Sequence, residues 1–278
     1  MSVVIGDIHG CVEKVQAFLA YKPEEEHIAL GDIVDSPFEP PSRQMECLNL
    51  LFDAGTVLLW GNHDIQYANL LAYPCSRNIQ NSPVAQVVLE NQHRFMAAYS
   101  ADGYILTHAG VCTQISNGCS DPVVLAGLLN NRLAAHRALI NSARDAGEIS
   151  VDSRDPIFNV SRHRGGWDEY SGIFWFDPFC EDTLDRGLRQ IYGHCEINKK
   201  PGLDEFGHIN LNYNGRDTCY LFDTKMDDVV KINFCPMDKD ELEDLYFCQV
   251  TRRLRGDYYN TFWLEEWNSR GDSSADRD

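Results

Sequence analysis

Five short apolar runs in this chain each stop at an acid, an amide or an imidazole. The runs are Val3–Ile5, His27–Leu30, Thr56–Trp60, Tyr104–Thr107 and Gln190–Tyr192. They lead into Gly6-Asp7-Ile8-His9-Gly10, Gly31-Asp32-Ile33-Val34-Asp35, Gly61-Asn62-His63-Asp64, His108-Ala109-Gly110 and Gly193-His194. Runs this short, rich in β-branched and aromatic residues and bounded by Gly, Asp or Asn, read as buried strands. A carboxylate or imidazole just past a buried strand is costly unless something pairs with it. In α/β sheets the edge beyond the strands' carboxyl ends is where ligands bind. The chain must therefore fold so that five strand ends meet on one edge.

The rest of the pattern fills in the layers. Further strand-like runs are Ile173–Phe176, His208–Leu211, Cys219–Phe222 and Val229–Phe234. Helix-length segments lie between the early strands: Val12–Tyr21, Ser42–Asp53, Asp64–Tyr73, Pro83–Ser100 and Asp121–Ala146. Asp121-Pro122 is an N-cap followed by proline at the first helical position. The first half alternates strand and helix, and the second half is mostly strand. That order predicts an α/β fold, two sheets packed as a β-sandwich with helices outside. No repeat or linker divides the chain. Residues 1–265 read as one catalytic domain, and the polar residues 266–278 as a flexible tail.

Composition excludes several function classes. Asp and Glu number 42 against 24 Lys and Arg, a formal charge of −18. Such a surface repels nucleic-acid backbones and anionic membranes, so neither is expected as a partner. No run approaches the roughly twenty apolar residues of a membrane span. No charged stretch followed by an apolar core opens the sequence, so no signal peptide is expected. The ten cysteines are scattered without a C-x-x-C pair and read as buried small hydrophobes in a reducing, cytoplasmic compartment. Cys11, beside Gly10, takes the same reading. The pattern says nothing about oligomeric state.

The five strand ends carry Asp, Asn and His, donors that suit a borderline cation: Mn, Fe, Zn, Co or Ni. They outnumber what one catalytic ion with open positions needs. Two ions sharing a carboxylate fit better. Two such ions, about 3.5–4 Å apart, can clamp a phosphoryl group for in-line attack.

The order GDIHG, GDIVD, GNHD, then the His of THAG and the His of YGHCE, resembles the calcineurin-like metallophosphoesterases. Within them it is most similar to the phosphoprotein phosphatase branch, which includes bacterial and phage serine/threonine phosphatases and diadenosine tetraphosphate hydrolases. The resemblance runs from Val3 to about Glu196. It implies the two-sheet, four-layer sandwich of that family and two divalent transition-metal ions, manganese in vitro. By the same resemblance Asp7 and His9 bind the first ion, Asp32 bridges, and Asn62, His108 and His194 complete the second. His63 matches the general acid that protonates the leaving group, and Asp35 the carboxylate that orients it. Asp64 stands where the branch has Glu. Ile173-Phe174-Trp175-Phe176-Asp177-Pro178 resembles the LWSDP stretch of eukaryotic members, with Asp177 near the site.

One departure bears on substrate. After GDIVD the branch carries Arg-Gly, and that Arg grips phosphate. Here the chain reads Ser36-Pro37. A phosphomonoester dianion needs positive charge beyond the metals, and a guanidinium fork matches phosphate oxygens. Arg162 and Arg164, followed by Gly165-Gly166, and Arg186, with Arg189 close by, are the candidates to replace it. Alternatively the substrate carries less charge at phosphorus. The resemblance thus implies a phosphatase acting on phosphomonoesters, phosphoserine and phosphothreonine included, by direct attack of a metal-bridging hydroxide. The alternative is a nucleotide-anhydride or phosphodiester hydrolase. Substrates would be phosphorylated small molecules, nucleotides or phosphoproteins. A protein-binding module on the same fold is a third reading, and it would not need the ligand set kept whole.

Overall fold

The computed structural model of the chain describes residues 2–36, 38–68, 83–146, 155–213, 215–238 and 240–242. Among them, ten strands are β1 (Ser2–Ile5), β2 (Glu26–Ala29), β3 (Val57–Leu59), β4 (Phe95–Met96), β5 (Tyr99–Ala101), β6 (Tyr104–Leu106), β7 (Arg189–Tyr192), β8 (His208–Asn210), β9 (Thr218–Asp223) and β10 (Asp228–Asn233). Six α-helices are α1 (Val12–Ala20), α2 (Pro41–Asp53), α3 (Asn62–Ile65), α4 (Pro83–Asn91), α5 (Thr113–Ser116) and α6 (Pro122–Asp145).

The strands form two mixed sheets, ordered β10-β9-β1-β2-β3-β4 and β5-β6-β7-β8. β1, β2, β3 and β4 run parallel in the first sheet, and β6, β7 and β8 in the second. The antiparallel β9–β10 hairpin adds to one side of β1.

Side-chain alternation along the strands builds the layers. Val4, Ile28, Leu30, Leu59 and Phe222 of the first sheet pack against Tyr104, Leu106, Ile191, Ile209 and Leu211 of the second. Val3 and Ile5, one residue off, join Val15 and Phe18 of α1 and Leu48 and Leu51 of α2. Ile105 turns likewise toward Leu125, Leu129 and Leu133 of α6. The result is helix, sheet, sheet, helix, with every central strand covered on both faces. All the core residues named are buried. Fully burying one such side chain is worth about 1.5–3 kcal/mol.

Local chemistry sets the element ends. Asp121 accepts from the backbone N–H of Val123 and Val124 at 2.9 and 3.1 Å, and Pro122 opens α6. The expected caps are therefore in place. Two other expectations are corrected, and a third lies partly outside the described residues. The segment Pro83–Ser100 is helical only to Asn91. Phe95 then pairs with Leu58, and Tyr99–Ala101 pairs with β6, so sheet pairing wins over helical periodicity. Asp64–Tyr73 is a short α-turn and a 3-10 turn to Ala68, and its remainder lies outside the described residues. Ile173–Phe176 is a buried turn, not a strand. Its N–H groups at Trp175 and Phe176 bond back to Gly172 O at 3.1 and 3.0 Å. A continuous apolar run reads alike in a buried strand and a buried turn. The tail at 266–278 also lies outside the described residues. Among the described residues no helix is long and apolar enough to cross a membrane.

Candidate metal centre

The strand ends do meet. Asp7 and His9 follow β1, Asp32 follows β2, Asn62 and His63 follow β3, His108 follows β6 and His194 follows β7. Each sheet contributes, so the site lies across the sandwich edge. The ligand-type atoms of Asp7, His9 and Asp32 lie within 4.8 Å of one another, and so do those of Asp32, His108 and His194. Asp32 belongs to both groups. His108 Nε2 lies 3.4 Å from Asp32 Oδ2, and His9 Nε2 lies 3.8 Å from it. Asn62 Oδ1 sits 2.8 Å from His108 Nε2 and 2.9 Å from His194 Nδ1.

Backbone geometry shows how closely the loops are held. Eight non-glycine residues among those described have positive φ, and four of them are His9, Asp32, Asp35 and His194. Such conformations cost of order 1–3 kcal/mol each and persist where the surroundings over-determine them. Gly31 and Gly61 touch: a Cβ on Gly31 would lie 2.3 Å from Gly61 N, and one on Gly61 2.1 Å from Asp32 N. A Cβ on Gly193 would lie 2.4 Å from Asp7 Oδ1.

Hydrogen bonds orient the donors. His108 Nδ1 faces Leu30 O at 3.0 Å, and His9 Nδ1 faces Val34 O at 3.3 Å. Each Nδ1 therefore carries an N–H, and each Nε2 turns its lone pair to the cluster. His194 is reversed: Nδ1 points inward, and its buried Nε2 has no hydrogen-bond partner. Asp7 accepts from His194 N at 3.0 Å and Asn212 Nδ2 at 2.7 Å.

This donor set fits divalent cations. Lone pairs of Asn62, His108 and His194 converge where protons cannot satisfy all three. Burial and the neighbouring Asp32 push the Asp7 carboxyl up. Burial acts the same way on Asp32, but the imidazoles of His108, His63 and His9 hold it well below the usual range. Burial works against a charged His108, yet Asp32 and Asp7 raise it to about 9. Burial and the nearby His108 hold His194 far down, so its ring is neutral. The two carboxylates that act on this buried imidazole make the pocket one that favours positive charge.

His63 and Asp35 form a separate pair beside this cluster. His63 Nδ1 lies 2.7 Å from Asp35 Oδ2. Burial opposes a charged His63, but Asp32 and Asp35 raise it to about 9. Asp35 also accepts from Gln66 Nε2 at 3.0 Å and Tyr67 OH at 3.2 Å. His63 N donates to Asp32 Oδ1 at 2.9 Å, tying the pair to the cluster.

The cavity over these groups has a volume of about 500 Å³. Asp7, His9, Asp32, Asn62, His63 and His194 line it, with Arg164, Trp175, Cys195, Glu196 and Asn212. Of the three arginine candidates, Arg164 reaches the cavity. Its Nε lies 3.0 Å from Asp177 Oδ2, and a second guanidinium nitrogen lies 2.7 Å from Cys195 Sγ. Arg162 is exposed on the same short turn and does not line the cavity. Arg186 is also away from it, paired with Asp182 at 3.3 Å and stacked over the Phe206 ring. Asp177 acts on the site through Arg164 and ends no strand.

Two further residues brace the site, in roles that the sequence does not assign. Asp64 is fully buried and accepts from Ile33 N, Val34 N and Gly61 N at 2.9, 3.0 and 3.1 Å. It locks the GDIVD and GNHD loops together. Burial and Asp32 push its carboxyl up to about 7. Asn212, just past β8, joins Asp7 to His194 O.

The calcineurin-like phosphoesterase family model matches residues 2–223. No curated protein sequence matches the chain. Among solved structures it is similar to a cold-active protein-tyrosine phosphatase of a psychrophilic Shewanella species. That likeness has 15% identity and a TM-score of 0.52, over 83% of this chain and 76% of that one. A serine/threonine phosphatase from Saccharomyces cerevisiae aligns at 17% identity and TM-score 0.39, over 75% and 65%. A metallophosphoesterase from Sphaerobacter thermophilus aligns at 14% identity and TM-score 0.42, over 96% and 97%. The likeness to the Shewanella structure is one of fold.

Proposed function

The chain belongs to the calcineurin-like phosphoesterase family, and from that premise we propose that it is a phosphatase of phosphomonoesters working with two divalent cations. It is a hydrolase of phosphoester bonds, and its family is metal-dependent. Phosphoserine and phosphothreonine are among the monoesters that suit it, and manganese is the ion to supply in vitro.

One observation carries the reading: two ligand clusters share Asp32. Asp7 and His9 would hold one ion with Asp32, and Asn62, His108 and His194 the other. Bound there, the ions would polarise the phosphoryl oxygens and lower the pKa of water. The protein's own groups do the rest. Asp35 fixes the His63 tautomer, with Nδ1–H donated to the carboxylate. That leaves Nε2 to give its proton to the departing oxygen. Arg164 would orient the phosphate through its guanidinium. The intact ligand set and the His63–Asp35 pair argue against a mere binding module.

A second reading has its own support. Among the described residues one guanidinium lines the cavity, and Asp177 at 3.0 Å already balances its charge. Less positive charge favours a diester or a nucleotide anhydride over a monoester dianion. The test compares turnover of p-nitrophenyl phosphate, bis-p-nitrophenyl phosphate and diadenosine tetraphosphate with manganese. Monoester turnover in excess supports the first reading. Turnover mainly of the diester or the anhydride replaces it with the second.

A further inference from the structure

Gln44, on the first turn of α2, touches both loops that carry the site's first carboxylates. It is buried at 6% exposure. Its Oε1 accepts from Asp35 N at 2.8 Å. Its Nε2 donates to Glu39 O at 2.7 Å and reaches Ser36 O at 3.5 Å. Its stem presses on the other loop, where a Cβ on Gly10 would lie 2.7 Å from Gln44 Cγ. Arg43, its neighbour, anchors the same segment through Glu39 and Glu13, each at 2.5 Å.

Asp35 needs that hold. Its φ is +61°, a left-handed conformation that Asp enters more readily than most residues but that still needs a hold to persist as one fixed turn. The backbone N–H that Gln44 accepts fixes this peptide. The left-handed turn in turn aims the Asp35 carboxylate at His63 Nδ1, 2.7 Å away.

We propose that Gln44 is a positioning residue: it holds Asp35 in its left-handed turn and thereby sets the His63 imidazole for proton donation. The inference rests on the reading of His63 as the donor to the leaving group. In that step an oxygen from water bonds to phosphorus, the ester P–O bond breaks, its electron pair stays on the departing oxygen, and the His63 Nε2 proton goes to that oxygen. The Nδ1 proton remains in the bond to Asp35. A good leaving group needs little of this help and a poor one needs much.

The test uses the full chain with Gln44→Leu, Gln44→Asn and Gln44→Glu, beside His63→Asn as reference. Asn is one methylene shorter and withdraws the acceptor, so it carries the test if the Leu variant does not fold. Glu keeps an acceptor oxygen for Asp35 N. With manganese, turnover of phenyl phosphate is compared with that of p-nitrophenyl phosphate. Without metal, proton NMR follows the downfield Nδ1–H of His63, assigned by its absence in His63→Asn. The expected result for Gln44→Leu and Gln44→Asn is a fall in kcat of about tenfold on phenyl phosphate and under about threefold on p-nitrophenyl phosphate. That is part of the roughly 10²–10⁴ a positioned acid contributes. The Nδ1–H signal is lost to exchange with water, and Gln44→Glu, which keeps the acceptor for Asp35 N but not the donor to Glu39 O, recovers part of both. Equal falls on the two substrates with the signal retained overturn the role of Gln44. If His63→Asn itself shows no leaving-group dependence, the reading of His63 fails, and the inference falls with it for that separate reason.

Discussion

Asp64 shows what a single buried acid does here. Three backbone N–H groups depend on it, and each would be left buried without an acceptor if its carboxylate were removed. Asp64→Ala should lower unfolding free energy by at least about 3 kcal/mol, at about 1–3 kcal/mol for each orphaned group. Urea denaturation reads it, and a loss under about 1 kcal/mol would contradict the bracing role. Arg164 acts on substrate instead. Arg164→Ala should lower kcat/KM for p-nitrophenyl phosphate about 10- to 100-fold, the worth of one charge-assisted bond, and should also lower the thermal midpoint, because it leaves buried Asp177 unpaired. Gly193→Ala would drive a methyl group toward Asp7 Oδ1 and should weaken manganese binding while the fold persists. The metal-type donors and the His63–Asp35 pair are legible in the sequence because each sits in a tight local motif. Asp64 is legible as a residue but not as a brace, since two of its three partners lie some thirty positions upstream. Asn212 shows no local signal at all, because its partner Asp7 is 205 positions away.

Elements show the same division. The strands that deliver the site are legible because both their faces are buried, which writes continuous apolar runs. The short strands β4 and β5 are not, because they are made by pairing with β3 and β6 rather than by local pattern. The turn at Ile173–Phe176 misleads for the converse reason: burial alone makes it look like a strand. Which arginine faces the cavity is open in the sequence, since a short 3-10 turn turns Arg164 in and Arg162 out. The join between α1, α2 and the loop after Asp35 is an element-scale contact carried by Arg43, which is 5% exposed between Glu13 and Glu39. Arg43→Met should cost about 3–5 kcal/mol, because it strands two carboxylates that Arg43 now neutralises. Chemical denaturation checks it. A change within about 0.5 kcal/mol would show that water already screens those acids.

At the scale of the molecule, the two sheets divide the labour. The first brings Asp7, His9, Asp32, Asn62 and His63, and the second brings His108 and His194. The centre exists only if the sandwich closes with its edges in register, so site and fold stand together. The chain also folds against its own charge of −18. Self-repulsion of that size is relieved by salt, so the thermal midpoint should rise between about 10 and 150 mM sodium chloride, over which the Debye length falls from about 30 to about 8 Å. A flat or falling midpoint would mean that the charge is locally compensated. Anomalous diffraction at the manganese edge, from crystals of the protein equilibrated with that ion, tests whether two ions share Asp32. Two peaks about 3.5–4 Å apart, on either side of the Asp32 carboxylate, are the predicted result. One peak, or none among these loops, would contradict it.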